Sequence, residues 1–398
     1  MHFTKQKGPS FPKRKESEIM NIAILGYGIV GSGAYEVLTK NGYTVSRVLD
    51  VRPHPELGDV LTDNIEDILN DQSITVVAEA IGGNTVSYDL VSRALKAGKH
   101  VVSSNKHLIC HYYKELHALA RENGVTIRFT SSVGGGIPWL YNLKRAVRCD
   151  EIEKIMGIMN GTTNFILDAM IRDSRDFAEV LKEAQALGYA EADPAADIDG
   201  LDVARKVAIS STLAFGCVVS ESDVRTLSLR NIKKSDIDYV RTTLGKTVRY
   251  LGYGIKTENG ITAFVEPTIL DGDTLEAHIP TNNNLISLFG KYVGRLSFYG
   301  QGAGKYPTGN ALAQDIIDIL KGETALSYPE TNAVIADDAA RAYFIRTKAA
   351  LDFDFFESID EKDGIRYILT KKAPVSEIHG AAKQILAADA ESFIAGIE

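Results

Sequence analysis

Two lysines carry the strongest signs of chemistry in the sequence. Lys206 follows Asp202 by four residues, so in a helix the two side chains lie on one face. The same spacing also occurs in ordinary surface ion pairs, which contribute only about 0.3–0.5 kcal/mol. Lys106 follows a short apolar run and, taken alone, is an ordinary loop lysine. An amine placed at a hydroxyl or carbonyl carbon can supply or remove a proton, and this is the chemistry that the two lysines suggest.

Acidic residues are concentrated just before the Asp202 and Lys206 pair. One of Asp197 or Asp199 suffices to cap the helix that begins there, so the remaining carboxylates need another explanation. The cluster predicts a site for a ligand that carries an ammonium group. Its members are Glu191, Asp193, Asp197, Asp199 and Asp202.

A second site is indicated by glycines that directly follow an apolar run. Residues 26–31, GYGIVG, match G-x-G-x-x-G between a strand-like segment and the start of a helix, which is the context that a dinucleotide site requires. Gly26 permits the tight turn, Gly28 lets the backbone approach a pyrophosphate, and Gly31 lets helix and strand pack closely. A purely structural glycine turn would show the same pattern.

Asp50 strengthens the dinucleotide interpretation. It ends the next apolar run, where a carboxylate can accept hydrogen bonds from the adenosine ribose. Asp50 favours NAD because a carboxylate repels a 2′-phosphate, whereas Arg52 favours NADP. A further loop at residues 81–84, IGGN, either passes under the nicotinamide half of the cofactor or is only a turn.

The elements that must position these residues follow a regular rhythm. From Asn21 onward, short apolar runs alternate with helix-length amphipathic segments, with Gly98 and Gly124 where helix C-caps belong. This alternation is typical of α/β proteins with a Rossmann-type, doubly wound parallel sheet. The predicted strands are residues 21–25, 44–50, 75–80, 100–103 and 126–129.

The rhythm changes after the glycine-rich turn at residues 134–136. Asn259 and Gly260 separate two strand-like runs, residues 249–255 and 261–268, and predict a hairpin with a two-residue turn. We therefore expect a second, mixed α/β domain. A helix is predicted at 307–320, and a short C-terminal α+β appendage follows from Ser327, with strands predicted at 342–347 and 365–370 and a helix at 377–388. Residues 352–356, between those two strands, resemble a strand more than a helix.

Composition excludes several classes of protein. The 398 residues carry a net charge of −8 without a long run of one sign, which argues against nucleic acid or an anionic membrane surface as partner. No apolar stretch is long enough for a membrane span, so we expect a cytoplasmic protein. The cysteines Cys110, Cys149 and Cys217 lie far apart, and we expect reduced thiols without a chemical role.

Together these residues resemble the homoserine dehydrogenases, over roughly residues 21–326. Two blocks, residues 160–164 and the segment that contains Asp202 and Lys206, are specific to that family, whereas the glycine pattern alone is not. The matching segments, in the family's order, are GYGIVG (26–31), SNK (104–106), VGGGIP (133–138), GIMNGTTNFIL (157–167), GYAEADP (188–194), DGLDVARK (199–206) and YGQGAG (299–304).

The resemblance implies roles for individual residues. Lys206 and Lys106 are implied as catalytic, Lys206 as the proton donor. Substrate-binding residues are implied to be Glu191, Asp202, Asn160, Gly161 and Thr162. Cofactor-binding residues are implied to be Gly26, Tyr27, Gly28, Ile29, Val30, Gly31, Asp50, Arg52, Lys106, Gly188 and Gly304.

The resemblance also implies the cofactor, the partners and the domain organisation. NAD(P)H is the implied cofactor, the homoserine and aspartate semialdehyde pair the substrate, and a homodimer the assembly. The expected divisions are a disordered extension at 1–19, an NAD(P)-binding domain at 20–146 and about 300–326, a substrate-binding and dimerisation domain at 147–299, and a reduced ACT-like segment at 327–398.

Two departures from the family pattern matter. The family's monovalent-cation loop begins with a glutamate where this chain has Thr130, although the backbone ligands Val133, Gly135 and Ile137 are retained. We therefore expect a loosely bound sodium or potassium ion. The family's regulatory module also has Pro-Gly after its first strand, and this chain lacks that dipeptide there.

Two other functions fit the same residues. One is a dehydrogenase for another small amino or hydroxy acid, which kinetics with homoserine and its analogues would reveal. The other is a catalytically silent NAD-sensing protein, which would bind the nucleotide without turnover. The combination of Lys106, Lys206, Asp202 and Glu191 argues against the silent protein.

Overall fold

The computed structural model describes residues 21–324 and 328–398. The extension predicted at 1–19 lies outside the described residues, as do residues 325–327 in the region where two of the predicted domains meet.

The first sheet has six strands in the order β3-β2-β1-β4-β5-β6, and all their pairings are parallel. Its central strands are continuous apolar runs because helices cover both faces. The predicted parallel sheet is therefore confirmed. The strands are β1 (Asn21–Leu25), β2 (Val45–Leu49), β3 (Leu61–Thr62), β4 (Ile74–Glu79), β5 (His100–Ser103) and β6 (Ile127–Arg128).

The helices that join these strands end where the sequence indicated. Gly98 and Gly124, with φ of 74° and 65°, directly follow the C-caps of two of them, a position that favours glycine. Strand order reverses between β1 and β4, and ligands of open α/β sheets bind at such a point, beyond the carboxyl ends of the strands. The helices are α1 (Ile29–Lys40), α2 (Glu66–Leu69), α3 (Thr85–Lys96), α4 (Lys106–Glu122) and α5 (Trp139–Ala146).

The second sheet is mixed and contains eleven strands. Nine follow one path, β12-β11-β7-β9-β10-β17-β13-β15-β14, while β8 pairs with β10 and β16 with β13. The strands are β7 (Ile152–Ile158), β8 (Arg225–Thr226), β9 (Lys246–Lys256), β10 (Ile261–Asp271), β11 (Asn283–Gly290), β12 (Gly294–Gln301), β13 (Ala340–Thr347), β14 (Phe356–Lys362), β15 (Ile365–Thr370), β16 (Ala373–Pro374) and β17 (Phe393–Ile397).

One helix of this second region is almost wholly buried and positions the site. α9 packs against β9 and β10, where a side chain at Gly252 would lie 2.5 Å from Val207. Glycine at that point of β9 therefore lets the helix approach the sheet closely. The helices are α6 (Gly161–Asp173), α7 (Phe177–Ala186), α8 (Ala195–Ile198), α9 (Leu201–Phe215), α10 (Lys234–Thr243), α11 (Lys305–Leu320) and α12 (Val375–Ala388).

α11 returns to the first sheet and packs across α1. A Cβ added at Gly33 would lie 2.0 Å from the carbonyl oxygen of Lys305, and one at Gly309 would lie 2.6 Å from the amide nitrogen of Ala34. The two helices can cross at this distance only because both positions are glycine. α11 thereby brings its N-terminus beside that of α1.

The predicted hairpin of β9 and β10 is present, but its turn differs from the prediction. The amide of Thr257 donates to the carbonyl of Gly260 at 2.8 Å, so the central residues are Glu258 and Asn259. A side chain at Gly260 would lie 2.3 Å from the carbonyl oxygen of Val334. That glycine serves the close approach of a neighbouring segment rather than the turn.

The C-terminal α+β segment joins the second sheet instead of standing apart, because β17 pairs in parallel with β10. The strand predicted at 352–356 is wrong: β14 begins only at Phe356. Phe353 and Phe355 stack with ring centroids 4.9 Å apart and pack in the same cluster as Ile378 of α12. These aromatic residues thus fill a small core beside the sheet.

Among the described residues, no helix is long and apolar enough to cross a membrane.

Candidate active site

The glycine turn after β1 has the geometry that a dinucleotide needs. Gly26 adopts φ of 91°, and a Cβ at Gly31 would lie 1.9 Å from the carbonyl oxygen of Gly26. At Gly28 a Cβ would meet nothing closer than Arg52 Nη2, at 4.0 Å. The turn is therefore tight on its inner side and open above Gly28, where a pyrophosphate would lie at the N-terminus of α1.

Asp50 is fixed beside this turn. Its Oδ2 accepts from the amide of Tyr27 at 2.7 Å, and its Oδ1 accepts from the amide of Arg52 at 3.0 Å. The guanidinium of Arg52 adds bonds to both oxygens. Hydrogen bonding from Arg52 holds the pKa of Asp50 far below its usual range, although burial opposes the shift. Asp50 is thus a permanent anion, covered by an arginine whose side chain is 62% exposed.

A cavity of about 750 Å³ lies between the carboxyl ends of the first sheet and the N-termini of α6, α9 and α11. Many of the residues singled out from the sequence line it. These are Ile29, Val30, Lys106, Gly135, Asn160, Gly161, Thr162, Gly188, Glu191, Asp202, Lys206 and Gly304.

Asp202 binds both candidate lysines. Its Oδ2 lies 2.7 Å from Lys206 Nζ, and its Oδ1 lies 3.1 Å from Lys106 Nζ. Lys206 Nζ also donates to the carbonyl oxygen of Met159 at 2.6 Å. Two of the three ammonium hydrogens of Lys206 are therefore engaged, and the third remains for a group in the cavity.

The two lysines differ in their electrostatic environment. Burial lowers the pKa of Lys206, although the charge of Asp202 opposes this shift. Attraction to Asp202 raises the pKa of Lys106, whose side chain is one-third exposed. Burial would raise the pKa of Asp202, but the two ammonium groups bring it well below the usual range. Lys206 is thus the lysine whose proton is more easily lost.

The acidic cluster divides into two parts. Glu191, Asp193, Asp197 and Asp202 line the cavity, whereas Asp199 forms an ion pair with Arg230 at 2.7 Å outside the cavity lining. Burial raises the pKa of Asp197, and the nearby charge of Asp202 adds to this effect. Four carboxylates in one cavity suit a cationic ligand group.

Asn160 organises these carboxylates and also begins a helix. Its Nδ2 donates to Asp197 Oδ1 at 2.7 Å and to Asp202 Oδ2 at 2.9 Å, while its Oδ1 accepts from the amide of Thr163 at 2.8 Å. A Cβ at Gly161 would lie 2.7 Å from the carbonyl oxygen of Asn282, so only glycine fits there. The N-terminus of α6 thus opens into the cavity, where it favours an anionic group.

Comparisons with known proteins agree with this geometry. Residues 26–130 match the model of the homoserine dehydrogenase NAD-binding domain, and residues 138–317 match the model of homoserine dehydrogenase itself. The homoserine dehydrogenase of Pseudomonas aeruginosa is 35% identical over 360 residues, which cover 86% of this chain and 82% of that protein. The one from Bacillus subtilis is 38% identical and covers 76% and 73%.

The fold agrees as well. The crystal structure of a homoserine dehydrogenase from Thiobacillus denitrificans superimposes with a TM-score of 0.83 at 31% identity and covers 95% of this chain and 98% of that one. This chain belongs to the homoserine dehydrogenase family. It is accordingly an NAD(P)-dependent oxidoreductase of amino-acid biosynthesis that interconverts homoserine and aspartate 4-semialdehyde.

The loop at residues 130–137, where the sequence led us to expect a loosely bound monovalent cation, is held by protein contacts. The amide of Thr130 donates to Asp315 Oδ2 of α11 at 2.8 Å, and the carbonyl of Ile137 accepts from the amide of Trp139 at 2.7 Å. Val133 and Ile137 are buried. Within the described ranges, no cluster of acidic, histidine and cysteine side chains has the form of a metal site. The neutral Thr130 adds no charge, and the Ile137 carbonyl already accepts one hydrogen bond, so this loop suits only a weakly bound cation.

Sequence reasoning missed several groups of this homoserine dehydrogenase site. The contacts of Asn160 with Asp197 and Asp202 join residues 37 and 42 positions apart, so no local spacing indicated them. Arg205 also lines the cavity, paired with Glu221. Glu79, fully buried at the end of β4, lies outside the cavity lining but bonds to Asn105, next to Lys106; its only signal was being an acidic residue at the end of an apolar run.

Proposed function

We propose that Lys206 transfers the proton in the interconversion of homoserine and aspartate semialdehyde. The observation that carries this proposal is the arrangement of Lys206 Nζ, which is buried, bound to Asp202 and to the Met159 carbonyl, and has one hydrogen left for the cavity. In reduction the ammonium gives that proton to the carbonyl oxygen of the substrate. In oxidation the neutral amine removes it from the hydroxyl group.

Lys106 has a different role in this proposal. Its raised pKa keeps it charged, so it stabilises negative charge on the reacting oxygen rather than exchanging a proton. Because Lys106 begins α4 and Asp202 lies on α9, their 3.1 Å contact joins the two halves of the cavity. The pair thereby fixes the distance between the cofactor side and the substrate side.

The remaining groups of the substrate match the rest of the cavity. Its ammonium group fits among the carboxylates, with Glu191 as its main partner, and Asp202 lies at the hydroxyl end. Its α-carboxylate fits the N-terminus of α6 at Gly161 and Thr162. Asn160 holds Asp202 and the helix start in one arrangement.

The nicotinamide nucleotide, when bound, supplies or accepts the hydride. We assign its pyrophosphate to the glycine turn at residues 26–31 and its adenosine ribose to Asp50 and Arg52. Gly188, with φ of 74°, and Gly304, the N-cap of α11, line the cavity on the nicotinamide side. We also propose that a sodium or potassium ion binds loosely at Val133, Gly135 and Ile137.

Homoserine oxidation, followed at the nicotinamide absorbance with NAD and NADP in parallel, tests the assignment of the site. Lys206→Met keeps the aliphatic stem and removes the amine, and it should lose turnover. Lys114→Met, which changes an exposed lysine of α4, is the matched control. Equal turnover in the two variants would contradict the role of Lys206.

We further propose a cytoplasmic homodimer with the domain division expected from the sequence. The edge strand β12 and the turn before it expose large apolar side chains, among them Tyr292 at 78% and Tyr299 at 55%. Natural edge strands are seldom left so apolar unless something covers them. A second copy of the chain is the occupant we propose.

Light scattering on a sizing column tests the dimer. Tyr299→Asp should yield monomers, whereas Leu386→Asp on α12, where the side chain is 39% exposed, should not. Monomeric wild-type protein, or dissociation by the Leu386 change alone, would contradict an interface at β12.

A further inference from the structure

Glu79 is a buried carboxylate that accepts hydrogen bonds from two separate segments. It ends β4, and its side chain is shielded from solvent. Its Oε1 accepts from the amides of Ile81 at 3.0 Å and Gly82 at 3.2 Å. Its Oε2 accepts from Ser103 Oγ at 2.6 Å. A buried charge is tolerated when it is hydrogen-bonded as fully as this.

The first segment is the loop after β4. Gly82 and Gly83 have φ of 87° and 69°, a backbone conformation that glycine adopts easily, and Ile81 is partly exposed. Ser87 Oγ lies 3.1 Å from Glu79 Oε1 and 2.9 Å from the carbonyl oxygen of Gly82, and its one hydrogen is shared between these two acceptors. Glu79 therefore fixes the conformation of a loop whose glycines do not by themselves favour it over others.

The second segment leads to Lys106. Ser103 Oγ, bound to Glu79, accepts from the amide of Asn105 at 3.1 Å. Asn105 is the N-cap of α4: its Oδ1 accepts from the amide of Leu108 at 3.1 Å, and its Nδ2 reaches Glu79 Oε1 at 3.4 Å. Lys106 is the first residue of that helix.

Asn105 also binds the loop directly. Its Nδ2 donates to the carbonyl oxygen of Gly83 at 2.6 Å. Glu79, Asn105 and the loop are thus linked in a closed set of contacts, and a shift of one moves the others. Small displacements of catalytic groups cost a large part of the rate, about 100-fold for 1 Å.

From these contacts we propose that Glu79 is a positioning residue that sets the loop at residues 81–84 and Lys106 in one arrangement. The proposal rests on the function assigned above to Lys106 and on the first of the two sequence-based interpretations of this loop, in which it passes under the nicotinamide half of the cofactor. Glu79 touches neither substrate nor cofactor; it acts through Asn105 and the loop amides. Loss of its contact with Asn105 should therefore change both turnover and cofactor binding.

Asn105→Asp breaks the contacts of the Asn105 NH₂ group with Glu79 and with Gly83. The new carboxylate can still cap α4, but it has no hydrogen to donate to Gly83 and it faces Glu79 as a like charge. We expect kcat to fall and the KM for the nicotinamide nucleotide to rise, each by about tenfold or more. Fluorescence titration of the nucleotide without substrate should show a matching loss of affinity, independently of turnover. Asp236→Asn is the matched control, since Asp236 is a fully buried carboxylate at the start of α10. It should lower Tm and leave both constants unchanged.

Adding Glu79→Gln to Asn105→Asp should restore part of the lost activity. The glutamine side chain keeps a carbonyl oxygen for the loop amides, and its NH₂ can donate to Ser103 Oγ, whose hydroxyl can rotate. In the double variant Glu79→Gln/Asn105→Asp, two negative charges no longer lie side by side. Its kcat should therefore be about threefold or more above that of Asn105→Asp alone. Recovery of kcat and KM together would support the proposal.

Other results overturn it. Unchanged kcat and KM in Asn105→Asp, or losses that simply add in the double variant, would show that Glu79 does not position these groups. Lys106→Met tests the role of Lys106 separately from that of Glu79. Wild-type turnover in Lys106→Met would contradict the role of Lys106, whereas lost turnover there together with unaffected Asn105→Asp kinetics would remove Glu79 alone.

Discussion

Arg52 covers the carboxylate of Asp50 from two sides, with Nε 3.0 Å from Oδ1 and Nη2 2.9 Å from Oδ2. The charge of Asp50, to which we assign the adenosine ribose, is therefore neutralised in part by Arg52, whose guanidinium could itself bind a 2′-phosphate. The choice between NAD and NADP depends on which of the two side chains the adenosine end contacts.

We expect the wild-type enzyme to use NAD at least as well as NADP, because Asp50 is fixed by Tyr27 and stays ionised. Asp50→Ser removes this charge and frees Arg52, so the ratio of kcat/KM for NADP to that for NAD should rise by about tenfold. Arg52→Ala should move the ratio in the opposite direction. Arg148→Ala, at an exposed position outside the cavity lining, is the control. A wild-type enzyme that strongly prefers NADP would contradict this placement of Asp50.

Removal of the Lys206 amine should lower turnover by about 10² to 10⁴, the usual contribution of a positioned general acid, or roughly 3–5 kcal/mol of barrier. Lys206→Ala is expected to bind the nicotinamide nucleotide nearly as well as the wild type, because the amine it removes contacts Asp202 and Met159 rather than the glycine turn. Steady-state kcat and nucleotide binding by fluorescence give the two quantities. A large loss of nucleotide affinity at normal kcat would point to a cofactor role instead.

Homoserine oxidation should accelerate as pH rises, with a midpoint below the pKa of about 10.4 of an ordinary lysine. Oxidation needs the neutral amine, the neutral form accumulates above the pKa, and burial lowers that pKa in Lys206. Lys106 cannot produce this midpoint, since attraction to Asp202 raises its pKa.

Asp202→Asn provides the check on this pH dependence. It removes the charge that favours the ammonium form of Lys206, so the residual activity should show a midpoint at still lower pH. The kcat profile between about pH 7 and 10.5 is the measurement. A midpoint unchanged by Asp202→Asn would assign the titration to another group.

The sequence predicted the parts of the fold that depend on local pattern. Continuous apolar runs marked the central strands of the parallel sheet, and glycines marked its turns, since both signals lie within a few residues. The strand predicted at 352–356 was wrong because strand preference reflects packing on a pleated surface. Phe353 and Phe355 instead stack on each other and pack in one cluster with residues of α12.

The site was predictable only where its residues are close in sequence or match a family block. The Asp202 and Lys206 pair is visible from a four-residue spacing, and the structure does bring these side chains together. Thr130 and Asp315 make contact across 185 residues, and Glu79 reaches Asn105 across 26. Such contacts depend on the tertiary fold, and a single sequence gives no signal for them.

Activity should depend only weakly on sodium or potassium. The loop at Val133, Gly135 and Ile137 has no carboxylate at Thr130, and the Thr130 amide is already bound to Asp315. Carbonyl oxygens can coordinate a monovalent ion, but a carboxylate at position 130 would have added charge attraction that Thr130 does not supply. Titration with NaCl or KCl, with choline chloride holding ionic strength constant, measures the effect. Saturable activation at low concentration of one cation would contradict a weak site.

Threonine should not inhibit this enzyme at concentrations well above those that regulate family members with a complete effector module. Such a module needs a turn and a helix after its first strand. In the described segment between β13 and β15, the chain instead forms the turn at residues 354–355 and the strand β14, without a helix. Phe353 and Phe355, in this segment, are packed in one cluster with residues of α12.

The segment is also committed to the second sheet, which limits the room for an effector pocket. β13 pairs with both β15 and β17, and Arg346 of β13 holds the buried Asp236 of α10 at 2.9 Å. These contacts give the segment a packing role independent of any ligand. Inhibition curves with threonine, at fixed homoserine and nucleotide, provide the measurement, and serine as a similar small hydroxy amino acid is the control. Saturable, non-competitive inhibition by threonine, and not by serine, would contradict this prediction. It would show that an effector site exists outside the segment between β13 and β15, despite the missing helix.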